Sequence, residues 1–183
     1  SKRLVPSEPA KVVKKITDSN LKVNQIFELE KQIISILLTY GNLELDFEES
    51  IVQTDEQGEL VEESKIIRSK VYEKIFLDLQ QDEVELSNDT FRSLFYQLIE
   101  NYQTDDGNLN LDKIMKSNDL GQNEIISDLV MREEQYQLHE WEKRNIFVKK
   151  KGSEVLQLVS ETILSLRRYL LDQKIAELET QTK

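Results

Sequence analysis

Asn88-Asp89-Thr90-Phe91-Arg92-Ser93-Leu94-Phe95-Tyr96-Gln97-Leu98-Ile99-Glu100-Asn101-Tyr102 is the stretch on which the fold turns. Phe91, Leu94, Phe95, Leu98, Ile99 and Tyr102 recur at steps of three and four, the spacing that gathers side chains on one face of an α-helix. Ser87 or Asn88 supplies the N-cap, a short side chain whose oxygen accepts from the first free backbone amides. The same period returns on both sides. Upstream, Val23, Ile26, Phe27, Ile33, Ile34, Leu37 and Leu38 predict a helix up to Tyr40, closed by Gly41. Ile67, Val71, Ile75 and Leu79, with Tyr72 and Phe76 beside them, predict a helix resuming at Lys65. Downstream of the turn Thr104-Asp105-Asp106-Gly107-Asn108, residues Leu109, Leu111, Ile114 and Met115 predict a short helix. Ile125, Ile126, Leu129 and Val130 predict another, capped by Asp119 or Asn123 and running on through Trp141.

Lys149-Lys150-Lys151-Gly152 reads as a break, after which Ser153 opens a last helix with Glu154 in its first turn, where the helix dipole favours an acid. Leu156, Val159, Ile163, Leu166 and Leu170 give that helix a heptad-like seam. From Asp172 onward only Ile175 and Leu178 are large and apolar, so its far half is expected to stand in solvent. One stretch departs from the helical period. Leu43, Leu45 and Phe47 alternate with Glu44, Asp46 and Glu48, and the turn-like Asp55-Glu56-Gln57-Gly58 separates two further short runs, which predicts a small β-hairpin or ordered loop over 43–64. The expected fold is therefore all-α: a linker over 1–22, a helical bundle over 23–149 and a long stalk helix over 153–183. Ile33, Leu37, Phe91, Phe95 and Trp141 are its expected core anchors.

Composition agrees and narrows the chemistry. The chain has 183 residues with five glycines and two prolines, too few turn-formers for most β or α/β folds. Cysteine is absent, which removes disulfides, thiolate metal sites and cysteine nucleophiles and fits a reducing, cytoplasmic setting. The net charge is −11, from 35 acidic against 24 basic residues, the reverse of what phosphate neutralisation asks of a nucleic-acid binder. No apolar run is long enough to span a bilayer, and Ser1-Lys2-Arg3-Leu4-Val5-Pro6 lacks the core of a signal peptide.

Searched for chemistry, the sequence offers little. The single histidine, His139, reads as a solvated or satisfied helix residue. Asp105-Asp106-Gly107 imitates a calcium loop, but Lys113 stands where the bidentate carboxylate belongs, so it reads as a plain turn. The acids from Asp46 to Glu63 read as solvated charge, and Lys149–Lys151 with Arg167 and Arg168 as a solvated basic face. No phosphate-cradling glycine motif occurs, and no inward-facing E-x-x-H supports a helical hydrolase. Neither metal nor cofactor is expected.

The order of these segments resembles a known family. Glu30-Lys31-Gln32-Ile33-Ile34-Ser35-Ile36-Leu37-Leu38 is similar to the opening of the C-terminal helicase-interaction domain of bacterial DNA primase, in its Bacteroidetes-like branch. Val71 to Leu79 and Phe91 to Tyr102 resemble its next helices. Leu138-His139-Glu140-Trp141-Glu142-Lys143-Arg144-Asn145-Ile146-Phe147-Val148 resembles the stretch before its long last helix. The resemblance covers residues 24–180 and implies a non-catalytic bundle and stalk that bind the N-terminal region of the replicative helicase. Primase's zinc module and polymerase core are missing. Arg167, Arg168, Lys174, Ile175 and Leu178 are the candidate helicase contacts, and two copies could also pair along the exposed last helix. The missing initiator Met and the uncapped, charged end lead to the expectation of an excised piece that stops before the family's terminal helical hairpin. An unrelated all-helical adaptor or regulatory domain fits the composition equally well.

Overall fold

The computed structural model describes the backbone over residues 18–54, 57–141 and 148–181, and side chains over 25–54, 57–131 and 152–181. Helix α1 (Asp18–Tyr40) is followed by strands β1 (Glu44–Thr54) and β2 (Leu60–Lys70), then α2 (Val71–Gln81), α3 (Asp89–Thr104), α4 (Leu111–Ser117), α5 (Leu120–Trp141) and α6 (Val148–Gln181). The chain is mainly helical, with a long last helix, and carries one two-stranded antiparallel sheet.

The core forms where the helical stripes meet. Ile33, Ile34 and Leu37 of α1, Val71 and Ile75 of α2, Phe91, Leu94 and Leu98 of α3, and Val159 and Leu166 of α6 are all buried in one cluster. Four expected anchors, Ile33, Leu37, Phe91 and Phe95, belong to it. The side chains of Trp141 and His139 lie outside the described residues. Helix α4 adds Ile114, and α5 adds Ile126 and Leu129.

The helix ends follow local chemistry. Asn88, rather than Ser87, caps α3: its Oδ1 accepts from Thr90 N at 3.0 Å and Phe91 N at 3.1 Å. Asp119, rather than Asn123, caps α5, accepting from Gln122 N at 2.8 Å while Gln122 Oε1 accepts from Asp119 N at 3.3 Å, a reciprocal capping box. The Asp105-Asp106-Gly107 turn ends α3 in a Schellman cap, with Asp106 at φ 54° and Gly107 N donating to Tyr102 O at 2.8 Å. Gly41 is needed for space. A Cβ there would overlap the Tyr102 hydroxyl, which donates to Leu37 O at 2.5 Å while its ring stacks on Tyr72 at 4.8 Å.

Four boundaries differ from expectation. Helix α1 begins at Asp18, inside the expected linker. The hairpin is real but longer than 43–64, and β2 continues to Lys70, so Ile67 faces Phe47 across the sheet instead of opening a helix. The period of four from Ile67 to Val71 to Ile75 is accidental across a strand–helix junction. Helix α2 starts only at Val71, whose N–H donates to Leu43 O at 2.9 Å, as Tyr72 N donates to Gly41 O at 2.9 Å, so the α1–β1 loop satisfies its first amides. Finally, Lys149–Gly152 does not break the chain; α6 runs through it for 34 residues. One internal glycine costs a helix about 1 kcal/mol, which packing can offset. Gly152 also lies against β1, where an added Cβ would meet Leu45 at 3.6 Å.

Buried Tyr102 has a measurable consequence. Burial pushes its hydroxyl pKa well above the ordinary value of 10.0. Lys74 is also raised above 10.5: burial works against its charge, but hydrogen bonds to Asp78 and Glu49 outweigh it. Both groups hold their protons longer in the folded chain than in the unfolded one. Their contribution is therefore complete below about pH 10 and lost as pH rises beyond it. The thermal midpoint should stay level from about pH 7 to 9 and fall above about pH 10, with a shallower fall in Tyr102→Phe. An unchanged slope in that variant would show that Tyr102 ionises as readily folded as unfolded.

Candidate functional site

Helix α6 has two apolar faces, and they point in opposite directions. Val155, Val159, Thr162, Ile163, Leu166 and Tyr169 are buried against the bundle, and the Thr162 hydroxyl is satisfied by Leu158 O at 2.7 Å. Leu164, Leu171, Ile175 and Leu178 remain 60%, 63%, 55% and 53% exposed. At about 100° per residue these four fall within an arc of about 60°, half a turn from the buried set. Beyond Leu170 every residue to Gln181 is exposed except Ala176, which is half-buried. The helix packs by its first half and stands clear by its second, as its sequence leads one to expect. What the heptad-like seam of Leu156, Val159, Ile163, Leu166 and Leu170 does not show is the second stripe. Its signal is Leu164 and Leu171, seven residues apart on the side away from that seam.

The five candidate partner residues divide into two groups. Arg167 is engaged inside the chain: its Nε donates to Asp82 at 2.5 Å and its Nη2 lies 3.7 Å from Asp78. Hydrogen bonding to Asp82 raises its pKa further above the usual guanidinium value. Asp78 also accepts from Lys74 Nζ at 2.7 Å, and the same amine donates to Glu49 at 2.7 Å and sits 5.9 Å over the Phe47 ring. This network ties α6 to α2 and α2 to β1, so Arg167 serves first as an anchor for the stalk. Arg168, Lys174, Ile175 and Leu178 are all exposed and share the open side of α6.

Other features have structural explanations. Glu30 is 1% exposed, and its carboxylate accepts from Ser87 Oγ at 2.7 Å, from Ser87 N and from Asn88 N at 3.0 Å. Beside it a depression lined by Ile26, Val84, Leu86, Leu166 and Leu170 is mostly apolar. Among the described residues no group of acids and histidine is arranged to hold a metal ion. The hairpin is covered mainly toward its base, where Phe47 is buried and Leu45 and Ile67 are half-buried; Ile51 is half-buried farther out, and Val52, Leu60 and Val61 are exposed. No helix among the described residues is long and apolar enough to cross a membrane.

Among the described residues, the open stripe of α6 is the feature best arranged to act on another molecule. Compared with known proteins, the chain from residue 15 to 183 matches the model of a family described as a domain of unknown function (DUF8430). No curated protein and no solved structure matches it.

Proposed function

We propose that this chain, which belongs to the DUF8430 family, is a non-catalytic protein-interaction domain: the helicase-interaction domain of a bacterial DNA primase, acting in the cytoplasm. It would recruit primase to the N-terminal region of the replicative helicase and modulate that helicase during priming. The observation that carries the interaction reading is the stripe of Leu171, Ile175 and Leu178 on a helix already clear of the core. An apolar stripe kept along a helix that has left the core calls for a partner. The identity of the partner rests on the primase-like order of segments over residues 24–180. Contact centres on Ile175 and Leu178, flanked by Arg168 and Lys174, with Arg167 holding the stalk.

Calorimetric titration of the chain against the N-terminal region of the cognate helicase tests this. Burying two aliphatic side chains contributes about 1.5–3 kcal/mol each, so Ile175→Asp with Leu178→Asp should weaken binding at least ~100-fold. Both positions are exposed, and the thermal midpoint should stay where it was. Equal affinity in the variant would move the contact to the bundle. Absence of binding by the unmodified chain would overturn the primase reading and leave the all-helical adaptor.

A further inference from the structure

The open face of α6 has more order than an apolar stripe requires. Leu164, Leu171 and Leu178 are spaced by sevens, and Arg168 and Ile175 interleave between them at steps of four and three. With the leucines at d, Arg168 and Ile175 occupy a. Lys174 then falls at g, and Asp172 and Glu179 at e. The residues α6 spends on the bundle, Thr162, Ile163, Leu166 and Tyr169, fall at b, c and f, the positions a coiled coil leaves outside its seam.

We propose that this seam receives a second copy of the same chain, in parallel and in register, as a short two-stranded coiled coil over residues 164–181. Leucine at d with a β-branched residue at a favours two strands over three or four. The flanking charges choose the direction. In a parallel pair g of one helix meets the following e of the other, so Lys174 faces Glu179 of the second copy. An antiparallel pair would set e against e and g against g, bringing Asp172 and Glu179 against acids and Lys174 against a base. Arg167, at the preceding g position, is already tied to Asp82 and is not counted.

Arg168 at a faces its own counterpart, which weakens the pair while fixing its register, as a buried polar residue at a does. The seam is about 27 Å long, fewer than three heptads, so association is weak and dependent on concentration. Pairing is still feasible at this length because packing of the first half of α6 has already formed the helix, and dimerisation bears no nucleation cost. The inference does not depend on the helicase reading, since the pair needs nothing but the chain itself.

The absence of cysteine makes a clean test. Leu164→Cys and Leu178→Cys, made singly in the full chain, should each cross-link to themselves under mild oxidation, because d residues meet at disulfide range in a parallel, in-register pair. An equimolar mixture should yield no 164–178 product beyond chance. In sedimentation on a concentration series, Lys174→Glu should weaken the dimer about tenfold, and adding Glu179→Lys should restore it. Arg168→Leu should tighten it about tenfold or more. Preferential 164–178 cross-linking would overturn the parallel pair. A chain that stays monomeric even as Arg168→Leu would overturn the pair altogether and leave the stripe to the helicase.

Discussion

Phe91→Ala lowers the free energy of unfolding by about 3–5 kcal/mol, the usual cost of truncating a fully buried aromatic side chain. Phe91 is 1% exposed and sits in the third position of α3, with its ring 5.0 Å from that of Phe27 on α1. It closes the α1–α3 contact at the end of α3 nearest the α2–α3 loop, where neighbouring Leu86 is also buried. The cavity left by alanine could not collapse easily, since the Asn88 cap and the Glu30 contact fix the backbone on one side. Domains of this size are stable by about 5–15 kcal/mol, so the loss would be a large part of the total. Urea unfolding followed by far-ultraviolet circular dichroism would measure it, with Phe91→Leu as a volume-sparing control expected to lose clearly less. A shift under about 1 kcal/mol for Phe91→Ala would mean that the α1–α3 contact is not part of the cooperative unit.

Phe91 belongs to the part of the fold that is easiest to read from the residues. A helix that buries one face writes its period into the sequence, which is why α3 and most core positions of α1 are found there directly, with the α3 cap narrowed to Ser87 or Asn88. Of the hairpin, β1 shows its alternation over Leu43 to Glu48, but β2 writes almost nothing. A strand announces itself by alternating burial, but β2 is exposed on both faces from Leu60 to Ile66, and only Ile67, Ser69 and Lys70 are partly covered. Its pairing with β1 is secured by the backbone ladder and by contacts such as Arg68 with Glu44 at 3.0 Å, none of which carries a periodic signal. Hence the segment from Lys65, which reads as a helix, is a strand.

The Lys-rich stretch before Ser153 misleads in the opposite sense, because a propensity cost of about 1 kcal/mol is small beside the packing of a 34-residue helix. At the candidate site, the exposure of Ile175 and Leu178 is legible because the apolar pattern thins after Asp172. The role of Arg167 is not. Its partners Asp78 and Asp82 stand far back in the chain, the second of them 85 residues away, and only the packing of α6 on α2 brings them together.

Glu30→Ala should cost about 2–4 kcal/mol, although a glutamate on a helix is ordinarily a surface residue. Its carboxylate is buried and holds the start of α3: Ser87 Oγ, Ser87 N and Asn88 N all donate to it. Asn88 in turn caps Thr90 and Phe91, so α1 positions the cap and the cap positions the aromatic anchor. Alanine would strand two backbone amides and a hydroxyl, each worth about 1–3 kcal/mol if left buried and unpaired. Water entering the adjoining depression would recover part of that, which brings the sum down. Glutamine would not be a true rescue, because its amide nitrogen would point a donor at donors. The decisive measurement is a double-mutant cycle by urea unfolding. Asn88→Ala alone should cost about 1 kcal/mol, the loss of one helix cap. If Glu30 acts by holding that cap in place, the double variant should lose less than the sum of the two, by about 0.5 kcal/mol or more. Strict additivity would mean that Glu30 stabilises α1 against the loop without organising the cap, and the chain of positioning from α1 through Asn88 to Phe91 would be broken.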